Sequence, residues 1–247
     1  MHGSDGLKLS RRQALRLSGL AAAGLSLSKW LPASAQPDAE GAQAPVTSEG
    51  PITSPDVALQ LLIEGNQRWA AGQATYPNQS VARRAEMAGG QNPFAIVFSC
   101  VDSRVPPELV FDRGLGDLLV IRTAAHVIDN AALGSIEFGA EELHIPLIVV
   151  LGHEKCGAVT ATIEAVDHHA DAPGQIAALV NGIRPAVETT AAQAGDRLDN
   201  AVRANTVNTV SALRSSAPIL TDLLSQGKVR IVGARYGLAT GLVEFIA

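Results

Sequence analysis

Four short apolar runs stand far apart along the chain: "FAIVFS" (94–99), "DLLVIR" (117–122), "PLIVVLG" (146–152) and "KVRIVGA" (228–234). Continuous apolar runs of this length read as strands buried on both faces, the habit of parallel sheets. Between the second and third runs, "NAALGSIEFGAEEL" has helical character, with Asn130 as its expected cap. Further helices are expected near 157–166, 175–189 and 199–226, interrupted by the polar "DHHADAPG". Strands alternating with helices predict an α/β fold: a mostly parallel central sheet of about four core strands, flanked by helices.

Upstream, "SPDVALQLLIEGNQRWAAG" places Ser54 as an N-cap, Pro55 in the first turn and Gly72 as a stop, predicting a helix over 54–72. Residues 75–92 are polar and turn-rich, with a short helical piece around 83–87. Residues 36–53 are rich in Pro, Gly, Ala and Thr without an apolar period, and read as a flexible spacer. The first 35 residues belong to a different layer of information. Arg11 and Arg12 precede the apolar "LSGLAAAGLSL", and "ASA" ends at Ala35, the layout of a twin-arginine export signal with its cleavage site. The apolar stretch is short for a membrane span. Export to a periplasmic location is the expectation, with the folded domain over 54–247.

The leader holds five Lys/Arg and one acid, so the remaining 212 residues carry 14 basic against 23 acidic side chains, a net charge of −9. No basic stripe is present and aromatics make up only 4% of the chain, which argues against a nucleic-acid partner. "RGLGD" lacks the length and lysine of a phosphate-binding loop.

The chemistry concentrates in two places. Cys100 follows the first strand in "FSCVDSRVPP", while His153 and Cys156 follow the third in "LGHEKCGAV". In parallel sheets, sites gather where strands end and helices begin, so both motifs belong on one rim. Two sulfurs and an imidazole suit zinc, whose catalytic sites keep three protein ligands and one open position. A helix beginning beside Cys156 favours its thiolate, Gly152 permits a tight turn, and Gly157 lets backbone approach the site. On spacing alone, a disulfide or a pair of inert buried cysteines remains open. Folding in the reducing cytoplasm before export weighs against the disulfide.

Asp102, two residues after Cys100, can be gripped by Arg104 in a bidentate ion pair. So held it is withheld from zinc and offers an acceptor beside it; released, it can fill the fourth position and close the site. A solvated ion pair in a turn is the plainer alternative. His126 reads as a structural histidine, with proton carriage at the rim as the other option. His144 reads as structural, and His168 and His169 as solvated loop residues.

"CVDSRVPP" together with "GHEKCGAV" closely resembles the β-class carbonic anhydrases, which carry C-x-D-x-R and H-x-x-C. The similarity extends through "GDLLVIRTAAHV", "LGSIEFG" and "VGARYGLATGLVEF", covering roughly 54–247. The resemblance implies zinc on Cys100, His153 and Cys156, a catalytic Asp102–Arg104 dyad, and reversible hydration of carbon dioxide to bicarbonate. It also implies a substrate-side glutamine at Gln91, apolar pocket walls at Leu119 and Ala124, with Gly157 beside them, and a homodimer or homotetramer. The chain departs from the family pattern at Thr123-Ala124-Ala125, where Asn-Ala-Gly is common, at Phe138, where plant members often have tyrosine, and at Gly237, where Asp is common. Rival readings are hydrolysis of carbonyl sulfide or carbon disulfide on the same scaffold, and a non-catalytic zinc or redox module.

Overall fold

The computed structural model describes residues 51–247; the expected leader over 1–35 and most of the spacer lie outside the described residues. Five strands form one sheet: β1 (Ala95–Cys100), β2 (Leu118–Thr123), β3 (Leu147–His153), β4 (Arg230–Tyr236) and β5 (Val243–Phe245), in the order β2-β1-β3-β4-β5. The first four run parallel, and β5 pairs antiparallel with β4. Every residue of β1 and β3 is buried, while β2, at the edge, is half-buried throughout. The four apolar runs are therefore the four parallel strands. The fifth strand was not among the expectations, because three residues carry no periodicity to read.

Helices cover both faces. On one side lie α1 (Pro55–Ala70) and the short α3 (Pro107–Val110), whose Leu62 and Val110, with Phe111 just after α3, pack in one cluster with Val97, Val149 and Val232. On the other, α4 (Asn130–Glu141), α7 (Arg197–Arg214) and α8 (Ile219–Ser225) cover Ile96, Phe98, Ile148, Val150 and Ile231. A third cluster joins α5 (Gly157–Asp167), α6 (Ile176–Thr189) and α7 around the two cysteines. The helix α2 (Val81–Met87) is capped by Ser80, whose hydroxyl accepts from Arg83 N–H.

Local boundaries differ from expectation in three places. The helix foreseen over 199–226 is two helices, broken at Ser215–Pro218; a proline, lacking N–H, does not continue the preceding ladder. The cap of α4 is Asp129 rather than Asn130, its carboxylate accepting from Ala132 N–H at 2.7 Å. Gly152 makes no turn: it lies inside β3, and a Cβ there would sit 2.4 Å from Thr206 Oγ1 of α7. Close helix packing, not flexibility, demands the glycine.

The strand order explains where a site can form. From β1 the chain moves outward to β2, then returns past β1 to β3 on its other side. That reversal opens a crevice beyond the carboxyl ends of β1 and β3. The residues ending those two strands are Cys100 and His153.

Helix α1 is fastened across the far face by buried Asn66, whose amide donates to Val110 O at 3.0 Å and Gly241 O at 2.8 Å and accepts from Val243 N–H at 2.8 Å. One residue earlier, a Cβ on Gly65 would fall 1.8 Å from the Phe111 carbonyl oxygen, a backbone atom that cannot rotate away. Gly65→Ala should therefore destabilise the fold by roughly 3 kcal/mol through overpacking, read as a lowered urea midpoint at unchanged slope. An unchanged midpoint would mean that α1 is not held against Phe111.

Candidate metal centre

Cys100 closes β1 and His153 closes β3; Ser99 pairs with Leu151, so the two ends lie side by side. A left-handed Lys155 (φ 53°) then turns the chain so that Cys156 caps the N-terminus of α5. Glu154 fixes this turn to β4: its N–H donates to Tyr236 O at 2.9 Å, and its carboxylate accepts from Leu238 N–H at 3.0 Å. Cys100 Sγ, Cys156 Sγ and a His153 ring nitrogen all lie within 4.8 Å of one another, and all three residues are buried. The sulfurs are 4.0 Å apart and both cysteines are free. A disulfide needs about 2.05 Å, so the sulfurs are not bonded to each other. Two thiolates on one tetrahedral zinc at about 2.3 Å each would stand about 3.8 Å apart.

The imidazole completes the test of fit. His153 Nδ1 lies 2.8 Å from Glu154 O, which assigns the ring proton to Nδ1. Nε2 is then a bare acceptor, and it is buried without a hydrogen-bond partner. A buried acceptor aimed at two sulfurs, with its other nitrogen anchored on a carbonyl, is the arrangement a metal ligand requires. The two sulfurs are also close enough for one thiol to donate to the other. The hydrogen bond from Cys156 lowers the Cys100 pKa against the opposing effect of burial, with further help from the N–H groups of Ala125 and Asp102. That same bond and burial push the Cys156 thiol up. A divalent cation between them would displace the remaining proton.

Beside the cluster, Asp102 is held from three directions. Its Oδ1 accepts from Arg104 backbone N–H and Nε–H, both at 2.9 Å, and its Oδ2 from the other guanidinium arm at 2.7 Å. Oδ2, with one partner, keeps acceptor capacity and lies 3.9 Å from His153 Nε2. The Asp102 and Arg104 side chains are 15% and 52% exposed, so the aspartate faces inward and the arginine outward. The structure therefore brings together Cys100, His153, Cys156, Asp102 and Arg104.

The substrate-side expectations fare differently. Ala124 is half-buried and opens the 3₁₀ turn Ala124–His126 directly after Thr123, the β2 partner of Cys100. Leu119 sits opposite Ile96 on the edge strand and packs on α4, where a Cβ on Gly139 would meet its Cδ2 at 2.4 Å; it is half-buried against the core. Gln91 is exposed and precedes β1. The strand alone separates its two ends by roughly 17 Å, so Gln91 does not reach the cluster that Cys100 joins. Gly157 begins α5, and a Cβ there would meet nothing within 4 Å, so no close approach of this chain accounts for it. His126 is 2% exposed and packed against Phe98. Burial lowers its pKa to about 4, so it is a neutral structural histidine.

Three neighbours of the cluster escaped sequence reasoning. Arg122, at the end of β2, donates from Nε to Cys100 O at 2.8 Å and from its terminal nitrogen to Asp102 O at 2.6 Å, tying down the backbone that carries ligand and aspartate. A charged residue ending an apolar strand was its only signal. Ala125 N–H donates to Cys100 Sγ at 3.2 Å, and buried Asn205 on α7 donates to Ala125 O at 2.9 Å. Nothing in the sequence around Asn205 indicates what it faces.

A mostly parallel sheet with helices on both faces and a Cys-His-Cys cluster at its switch point defines an α/β protein with a candidate metal site. A sequence model of the carbonic anhydrase family matches residues 95–243. "Carbonic anhydrase 2" of Mycobacterium tuberculosis is 42% identical over 191 residues, covering 77% of this chain and 92% of that protein. The carbonic anhydrase of Mycolicibacterium smegmatis is 43% identical over 194 residues, covering 78% and 94%. Among solved structures, a Coccomyxa β-carbonic anhydrase in complex with acetazolamide superposes with a TM-score of 0.58 at 26% identity, covering 76% of this chain and 86% of that one. The fold is also that of a tetrameric β-carbonic anhydrase from Sordaria macrospora, with a TM-score of 0.60 at 19% identity, covering 77% and 98%. The chain belongs to the β-class carbonic anhydrases.

Asp102 has its pKa lowered to about 2, chiefly by the hydrogen bond from Arg104, against a small penalty from burial. A folded-state value below the unfolded one, about 3.9, means that the stabilising contribution is complete above pH 4. It fades as pH falls through about 2. At pH 4 the Asp102 carboxyl should be ionised in the native protein and about half-protonated in Arg104→Ala, measured by carbon-13 NMR of labelled aspartate. Identical protonation in both proteins would remove the dyad.

Proposed function

We propose that this chain is an exported zinc carbonic anhydrase that interconverts carbon dioxide and bicarbonate. The single observation that carries it is the convergence of two unbonded sulfurs and a partnerless buried imidazole nitrogen, with an arginine-held carboxylate alongside. Zinc on Cys100, His153 and Cys156 would supply a Lewis acid that brings the pKa of a bound water to about 7.

The protein's own groups do the rest. Arg104 keeps Asp102 ionised and turned away from the metal position, so Oδ2 accepts a hydrogen bond from the attacking oxygen and aims its lone pair at carbon. Arg122 fixes the main chain beneath both groups. In the net reaction, one C–O bond would form as a C=O π bond of carbon dioxide opens, and the proton lost by water would pass to buffer as bicarbonate leaves. Neutral His126 has both ring nitrogens engaged by threonines and is no proton carrier. The similarity to carbonic anhydrases over most of the chain favours hydration over a non-catalytic zinc or redox module.

A homodimer or homotetramer belongs to this reading. Gln91 cannot join its own cluster, so its substrate-side role needs a second copy. The edge strand β2 is half-buried, and Phe138 on α4 is 55% exposed, leaving apolar surface for such a copy. Leu119, Ala124 and Gly157 would then border the substrate space from one copy or the other. Among the described residues no helix is long and apolar enough to cross a membrane.

Zinc-loaded protein should hydrate carbon dioxide between about pH 7 and 9, and Asp102→Asn should retain one zinc per chain while turnover falls by about a hundredfold or more. A wild-type protein with full zinc and no hydration, assayed beside carbonyl sulfide and carbon disulfide, would overturn the assignment. Export rests on Arg11 and Arg12; replacing both by lysine should leave full-length precursor in the cytoplasm, and undiminished export would overturn the twin-arginine route.

A further inference from the structure

Backbone geometry next to Cys100 is unusual. Ala125 and His126 are consecutive non-glycine residues in the left-handed region, with φ of 49° and 46°. L side chains disfavour that conformation, and a pair of them persists only where surroundings hold it. Those surroundings come from one face of α7. Asn205 Nδ2 donates to Ala125 O at 2.9 Å, with both groups buried. Thr206 Oγ1 donates to Val202 O at 3.0 Å, which leaves it an acceptor for His126 Nε2–H at 3.4 Å. His126 Nδ1 then accepts from Thr209 Oγ1 at 3.2 Å. The ring is neutral and satisfied at both nitrogens, as its burial demands. Gly152 leaves the room that Thr206 occupies.

The strained turn has one visible product: the Ala125 N–H points at Cys100 Sγ, 3.2 Å away. A hydrogen bond to a thiolate lowers the energy of its lone pair and fixes its direction. We infer that Asn205, from α7, is a positioning residue for the metal ligand Cys100, acting through the carbonyl and N–H of Ala125, with Thr209 holding the adjoining His126. The inference rests on the zinc reading of the cluster. It adds a residue 105 positions downstream of the ligand it serves.

The test uses the full chain loaded with zinc or with cobalt. Asn205→Ala should weaken zinc binding about tenfold in chelator competition, the low end of losses seen when outer-sphere partners of metal ligands are removed. In the cobalt form, the sulfur-to-cobalt charge-transfer band should move to lower energy, because a thiolate without its N–H partner gives up an electron more readily. Thr209→Val, nearly the same shape, should shift both readouts in the same direction but less, and decides the matter if Asn205→Ala does not fold. A merely structural role would lower the thermal midpoint and leave the cobalt band in place. That result, or unchanged zinc affinity in the folded variants, would overturn the inference. Neither readout uses turnover, so an inactive chain that showed these shifts would support the inference while overturning the hydration reading.

Discussion

Ser99 lies opposite Leu151 because β1 and β3 run parallel and in register, and that pairing sets Cys100 and His153 side by side on one rim. Neither strand holds a metal site by itself. The pairing is enforced by apolar side chains on both faces, so a slip of one residue would exchange the two layers of core and is strongly disfavoured. The reversal of strand order at β1 then leaves that rim uncovered by a crossover helix. Burial of the sheet thus decides where the chemistry stands.

Around this rim, polar groups are placed so that each has one role. Arg104 binds both carboxylate oxygens of Asp102 and leaves Oδ2, with that single partner, acceptor capacity for the interior. Arg122 holds two carbonyls on the same loop from beneath. Glu154 serves twice, giving its carbonyl to His153 and its side chain to Leu238, so the imidazole and the turn are fixed by one residue. In a low-dielectric site such satisfaction counts heavily, because a half-bonded network is costlier than none.

The motif residues were legible because their types are rare and their chemistry is local: two cysteines, with an aspartate, an arginine and a histidine at short fixed distances. The parallel strands were legible as uninterrupted apolar runs. Misreadings arose where a residue's role depends on a neighbour distant in sequence. Gly152 looked like a turn residue and is a packing site for Thr206. Leu119, expected as a pocket wall, packs half-buried on α4. Gln91 stands before the run 94–99 and Cys100 ends it, so the strand itself keeps them apart.

Sequence alone marked the four parallel strands and the candidate donor residues, since apolar period and side-chain chemistry are properties of short segments. The tertiary structure decided three things: that the sulfurs stand 4.0 Å apart unbonded, that His153 Nε2 has no partner, and that Ala125 N–H meets Cys100. Each is a distance between groups tens of residues apart, and such distances follow from packing of the whole sheet and its helices, which no local pattern encodes.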